Sequence, residues 1–330
     1  MNGRSNTLLS LLRRLACALL VAGALAPLAA AQNFPSRPMR MIAPFPAGSA
    51  TDMVARLMAR NMGEILGQPI AVENRAGANG IGGVEHVKQA AGDPHVLLLA
   101  AATTHAANPY LYRKLPYDPV KDFTPLAKIG LTAFVLMVRN EFPARTMQEF
   151  LAHARANNGK LSYAHGSAGM LASSALLTKL GRFDAQPIAY KGNPPALADL
   201  LAGVIDFSFV DLGNAVAQLK GGKLKALGVT MARRTVLVPD LPTVAEAANM
   251  PGFEVVPWVG LLAPAGIPRA ARDALNAAAA TVVNRADFKA QLVSIGLDPD
   301  PQDGDGFGRT IEADIKVWAR LLADAGIKPE

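Results

Sequence analysis

Met39-Arg40-Met41-Ile42-Ala43-Pro44-Phe45-Pro46-Ala47-Gly48-Ser49-Ala50-Thr51-Asp52-Met53-Val54 runs from a short apolar stretch, through a loop of proline and small residues, into an amphipathic segment. Met39 to Ala43 reads as a strand. Val54, Leu57, Met58, Met62 and Ile65 then recur at helical spacing, and Gly67 supplies the stop. Ile70 to Glu73 reads as a second strand, Asn79 to Ala91 as a helix broken by Gly92-Asp93-Pro94, and Val96 to Ala101 as a buried third strand. Strands alternating with helices in this way predict βαβ units and a mostly parallel sheet.

A second set of the same kind follows. Its strands are expected at Phe134 to Arg139, Leu161 to His165, Ile188 to Tyr190, Val204 to Val210 and Leu224 to Thr230. Its helices are expected at Thr146 to Asn157, Met170 to Leu180, Pro194 to Ala202 and Asn214 to Lys220. The stretch Asn108 to Asp122, rich in proline and tyrosine, reads as a surface arm. After Pro239 and Pro242 come a helix near Val244 to Ala248, a strand from Val255 to Leu262 and a remainder read as helical, with Phe307, Ile311, Ile315, Trp318 and Leu322 forming one apolar stripe. The simplest assembly is an α/β fold of two lobes: residues 32–132 with 254–330, and residues 133–253. The C-terminal segment returns to the first sheet.

Composition narrows the function. Of 330 residues 51% are hydrophobic and 18% charged, enough apolar material for a large core. Cys17 is the only cysteine, so no disulfide framework or cysteine-rich metal site is expected. Arg4, Arg13 and Arg14 precede an apolar run from Leu15 to Leu28 and then Ala29-Ala30-Ala31, the pattern of an export signal cleaved after Ala31. Its loss leaves 30 basic against 26 acidic residues, about +4. With no dense basic face, nucleic-acid binding is not expected.

The loops joining strands to helices carry the candidate chemistry. The first is Pro44 to Asp52, the second Ala164 to Met170, and the third Ala102-Thr103-Thr104-His105-Ala106. In open α/β sheets ligands sit beyond the carboxyl ends of strands, where helix starts expose unpaired N–H groups and favour anions. Each start contributes about 0.3 to 2 kcal/mol, against about 8 kcal/mol for micromolar binding, so burial and further hydrogen bonds must add to it. The bland alternative is that Thr51 or Asp52 only caps its helix. An exported hydrolase using Ser167 with His165 or His105 is the rival reading, but a nucleophile elbow needs glycine where His165 stands. The five histidines show no metal-ligand spacing, and neither a metal nor a cofactor is expected.

Several motifs together resemble one family. These are Phe34-Pro35-Ser36-Arg37-Pro38, Ala43 to Gly48 with Thr51-Asp52, Val72-Glu73-Asn74-Arg75 before Gly77, Leu115-Pro116-Tyr117-Asp118-Pro119, Tyr190-Lys191-Gly192, Pro239-Asp240-Leu241-Pro242-Thr243, Pro251-Gly252-Phe253-Glu254 with Trp258, and Ala325-Gly326-Ile327-Lys328. From about Phe34 to Glu330 the chain resembles the Bug-type, or TctC-type, periplasmic receptors of tripartite tricarboxylate transporters.

That resemblance implies a type II-like Venus-flytrap with a ligand cleft between its lobes. It implies a monomeric, non-enzymatic receptor that captures a small carboxylate by lobe closure and delivers it to integral membrane transporter subunits; a sensory role with a signalling partner is the variant. It points to Ala47, Gly48, Ser49, Ala50, Thr51 and Asp52 in one lobe and Ser167, Ala168, Gly169 and Met170 in the other, with Thr103, Thr104 and Asp211 as further wall residues. Ser49 stands where many relatives have a second glycine. The ligand class implied is a di- or tricarboxylate, an aromatic acid or an amino acid, and the run Met170-Leu171-Ala172-Ser173-Ser174-Ala175-Leu176, more apolar than usual, suits an aromatic or branched-chain carboxylate as well as a dicarboxylate.

Overall fold

A computed structural model describes residues 34–330, and the leader expected over residues 1–31 lies outside them. β1 (Met39–Ala43), β2 (Ile70–Asn74) and β3 (Val96–Ala101) are parallel, with β1 in the middle. Between β1 and β2, α1 (Ala50–Leu66) buries Val54, Ala55, Met58 and Met62 and ends at Gly67 in the left-handed region, as its periodicity predicts. α2 (Ile81–Lys88) is shorter than the expected Asn79 to Ala91. Asn79 and Gly80 take positive φ values of 52° and 83°, which no regular helix tolerates, and delay its start.

Three antiparallel strands complete the sheet: β4 (Phe123–Thr132), β10 (Trp258–Pro264) and β11 (Leu297–Asp303). The order is β11-β4-β10-β3-β1-β2. The second sheet comprises β5 (Phe134–Arg139), β6 (Leu161–His165), β7 (Ala185–Ala189), β8 (Phe207–Asp211) and β9 (Leu224–Val229), ordered β7-β6-β8-β5-β9. Its helices are α3 (Met147–Ala156), α4 (Ala168–Gly181), α5 (Asn193–Ala202), α6 (Leu212–Lys220) and α7 (Val244–Ala248). α8 (Arg269–Asn284), α9 (Ala286–Ser294) and α10 (Gly304–Asp324) follow, and the chain is a two-lobed α/β protein.

Three readings from sequence need correction. The remainder after β10 is not wholly helical, because β11 pairs with β4; the run Leu297-Asp298-Pro299-Asp300-Pro301 has no strand alternation and owes its conformation to its neighbour. β10 begins at Trp258 rather than Val255, because Val255 donates its N–H to Thr230 of the segment leaving the second sheet. The stretch Asn108 to Asp122 is not simply a surface arm: Asn108, Leu111 and Tyr117 are buried, and the Tyr117 hydroxyl donates to the Thr104 carbonyl at 2.6 Å.

Each sheet has its own core. Phe150, Phe207 and Phe209 centre the second, while Met41, Met58, Leu97 and Phe288 fill one side of the first. On the other side of the first sheet α10 lays down Phe307, Ile311, Trp318 and Leu322. Side chains of this size contribute about 1.5–3 kcal/mol each when fully buried.

The chain passes from the first sheet to the second through one residue, Ala133, between β4 and β5. It returns through the segment between Thr230 and Trp258. Thr132 donates its N–H to the Pro257 carbonyl at 2.8 Å, and the Thr230 hydroxyl accepts from Phe134 N–H at 3.0 Å while donating to the Val255 carbonyl at 2.8 Å. These two strands of chain form the bridge over which both lobes face each other.

Candidate functional site

Ser49 caps α1, its hydroxyl accepting from Asp52 N–H at 3.3 Å. The loop before it turns at Gly48, whose φ of 81° favours glycine. Asp52 holds that turn in place: its carboxylate accepts from Gly48 N–H at 2.9 Å, from Arg56 Nε at 3.1 Å and from Asn74 Nδ2 at 2.8 Å. Burial alone would favour the neutral acid, but the bonds from Arg56, Gly48 and Asn74 outweigh it and hold Asp52 below the ordinary carboxylate range. Asp52 therefore shapes the loop and does not line the cleft.

The second lobe presents a matching start. Ser167 caps α4, accepting from Met170 N–H at 3.3 Å. Gly169 packs against the Phe134 ring so closely that a Cβ there would lie 2.5 Å from Cε2. Gly192, ahead of α5, faces the Pro46 ring of the first lobe, and Gly166 packs on the Gly192 backbone. Across the gap Asn214 Nδ2 donates to the Gly48 carbonyl at 3.2 Å. These contacts join the loop before α1 to the Gly192 loop and to α6 of the second lobe.

The α1 and α4 starts both line one small cavity. Of the residues expected there from sequence, Ser49, Ala50, Thr51, Thr103, Ser167, Met170 and Asp211 line it. Ala47, Gly48, Asp52, Thr104, Ala168 and Gly169 do not. Thr104 is fully buried, donating to the Ala101 carbonyl at 2.8 Å, and Ala168 sits in the core between α4 and the first sheet. Phe45, Thr132, Phe134, Asn193 and Trp258 also line the cavity and were not anticipated. The Tyr190-Lys191-Gly192 motif just before α5 could have pointed to Asn193; nothing local marks Thr132 or Phe134, which reach the site because the bridge crosses its floor. Trp258 is held by its Nε1–H, which donates to Asp314 at 2.7 Å.

The cavity wall is apolar through Phe45, Phe134, Met170, Pro257 and Trp258, and among the described residues no lysine, arginine or histidine lines it. Asp211, at the end of β8, is buried, and its carboxylate has Ala50 N–H at 3.4 Å with the Asn214 amide beside it. Burial pushes its pKa up to about 6. A larger hollow touches Thr132 as well, but it is bounded by the loop around Arg233 and by the turn at Gly296, and neither the α1 nor the α4 start enters it. The smaller cavity is where both do.

No histidine bonds to the Ser167 hydroxyl among the described residues. His105 is fully buried against Tyr117 and Phe123, its Nδ1 lies 2.8 Å from Thr104 Oγ1, and burial pushes its pKa down to about 3. His165 likewise is lowered by burial. Ser167 is placed as a helix cap rather than as a nucleophile.

Comparison with known proteins places this geometry. Residues 54–327 match the model of the tripartite tricarboxylate transporter family receptor. The chain belongs to that family. It is 31% identical over 320 residues to the protein BugT of Bordetella pertussis, covering 93% of this chain and 94% of that one. Among solved structures it is similar to an R. palustris protein with adipate (30% identity, TM-score 0.87, covering 90% of this chain and 100% of that chain). It is also similar to MatC from Rhodopseudomonas palustris with bound malate (34% identity, TM-score 0.81, covering 88% and 100%). As a Bug-type receptor with a periplasmic-binding-protein fold, it is a solute-binding protein and not an enzyme.

Proposed function

We propose that the protein works in the periplasm, captures a small organic carboxylate by closing its lobes, and delivers it to the membrane subunits of a tripartite tricarboxylate-type transporter. The observation that carries this reading is the pair of serine-capped helix starts, at Ser49 and Ser167, meeting across one apolar cavity. Uncapped N–H groups at such starts favour negative charge, and water exclusion strengthens every polar contact made to it. Similar proteins whose structures contain adipate and malate support a carboxylate as the ligand.

In this reading residues 32–132 with 254–330 form one lobe, residues 133–253 form the other, and the bridge at Ala133 and Thr230 to Trp258 is the hinge. Ser49, Ala50, Thr51, Ser167, Met170 and Thr103 contact the ligand. Gly48, Asp52 and Gly169 act one step back, by fixing the backbone of both starts. The receptor acts as a monomer after removal of residues 1–31.

Calorimetric titration of the purified protein with di- and tricarboxylates, aromatic acids and amino acids tests this. At least one compound is expected to bind saturably and to shrink the radius of gyration in solution scattering. No binding across the panel, together with unchanged scattering, would refute the reading.

A further inference from the structure

The cavity holds more than a docking place for an anion. Three buried residues with acceptor atoms line it, Asp211, Asn193 and Thr132, only 8%, 4% and 7% exposed. Among the described residues Asn193 Oδ1 and Thr132 Oγ1 have no hydrogen-bond partner. Among the described residues no ion pair reaches Asp211, whose carboxylate is met by neutral donors, Ala50 N–H at the long distance of 3.4 Å and the Asn214 amide. Phe134 is paired with Asp211 in the sheet, and the Ala133 carbonyl accepts from Leu212 N–H at 2.9 Å, so the bridge carries Thr132 past the end of β8 where Asp211 sits.

A carboxylate serves these groups poorly: the Thr132 hydroxyl can donate to it, but the Asn193 amide oxygen cannot, and at Asp211 it would set like charge against like charge inside a site where no described residue on the wall is a cation. An ammonium brings a positive charge for Asp211 and N–H donors for the two unpartnered acceptors, Asn193 Oδ1 and Thr132 Oγ1. The helix start at Ser167 remains for one carboxylate, while the start at Ala50 already faces the carboxylate of Asp211. Phe45, Phe134 and Trp258 suit an apolar body between the two ends.

We propose that, within the carboxylate-receptor reading on which this inference rests, the ligand is an apolar α-amino acid, with its ammonium received by Asp211, Asn193 and Thr132, and that dicarboxylates are disfavoured. Asp211 is then the residue that sets specificity.

The test is calorimetry near neutral pH on the wild-type protein with matched pairs: leucine against isocaproate, phenylalanine against hydrocinnamate, and adipate and malate as dicarboxylates. Leucine or phenylalanine is expected to bind at least about tenfold more tightly than its deaminated partner and than either dicarboxylate. Asp211→Asn, checked for folding by circular dichroism and thermal melting, is expected to erase that preference. Thr132→Val, which keeps the shape of the side chain, is expected to weaken the amino acid several-fold more than the deaminated acid. Saturable binding of isocaproate, hydrocinnamate, adipate or malate that equals or exceeds that of the amino acids overturns the inference and leaves the carboxylate reading standing. Absence of binding by every one of these compounds overturns the inference, while the carboxylate reading falls only with the wider panel and unchanged scattering.

Discussion

Gly192→Ala adds one methyl group at the point where the lobes meet. The added Cβ would lie 2.4 Å from Pro46 Cδ and 2.9 Å from Cγ, and the third nearest atom is again Pro46, at 3.8 Å. Ordinary contact begins near 3.4 Å, so the rims must part by about 1 Å. Gly192 has a φ of 165°, extended backbone that alanine adopts freely, so the second lobe itself carries no strain. Overpacking of this kind costs about 1–3 kcal/mol, and here the cost falls on the closed arrangement alone. That predicts a loss of affinity of roughly 5- to 150-fold. Calorimetry with the tightest ligand of the panel measures it, and solution scattering without ligand should show a more open mean shape. The unfolding midpoint without ligand should move little. Pro46→Ala in the same chain removes the clashing ring and should restore most of the affinity, a coupling that two independent sites would not show. Wild-type affinity in Gly192→Ala, or a fall in unfolding midpoint matching the fall in affinity, would refute the reasoning.

Asp211→Asn should also change stability with pH. The native carboxyl keeps its proton up to about 6 against an ordinary 3.8, so the stability present below 3.8 is lost as pH rises through 6, by up to about 3 kcal/mol. Denaturant melts should find the variant more stable than wild type above pH 6 and equal to it below pH 4; equal curves at neutral pH would contradict the burial cost. Asp52→Asn should behave in the opposite sense, because its native pKa is lowered. It should cost about 1–2 kcal/mol near neutrality, a deficit that fades as acid protonates the wild-type carboxyl, and a deficit that is flat with pH would exclude the ionic role. Ser167→Ala removes the α4 cap and should cost about 1 kcal/mol of stability and weaken ligand binding, with no ester or amide hydrolysis in either protein. Hydrolysis that is present in wild type and abolished by the substitution would revive the rival enzyme.

Much of the first sheet and of both helix starts is legible in the sequence because the interactions responsible are local. The spacing of Val54, Met58 and Met62, the stop at Gly67 and the caps Ser49 and Ser167 all act within one or two turns of chain. Where local preference is weak, partners far along the chain decide. β11 is a strand only because β4 lies beside it, and the Asn108 to Asp122 stretch packs inward only because Tyr117 finds the Thr104 carbonyl.

The same division runs through the site. Its anion-favouring rim follows from small and hydroxyl residues between a strand and a helix, which any reader of the chain can find. Its floor, with Thr132, Phe134 and Trp258, and the facing of Asp211 toward Ala50 across 161 positions of chain, come from the crossing at Ala133. Periodicity and capping record what a residue does to neighbours three or four places away. They carry no information on which way one folded lobe is turned against another, and that orientation turns two ordinary helix starts into a single closed cleft.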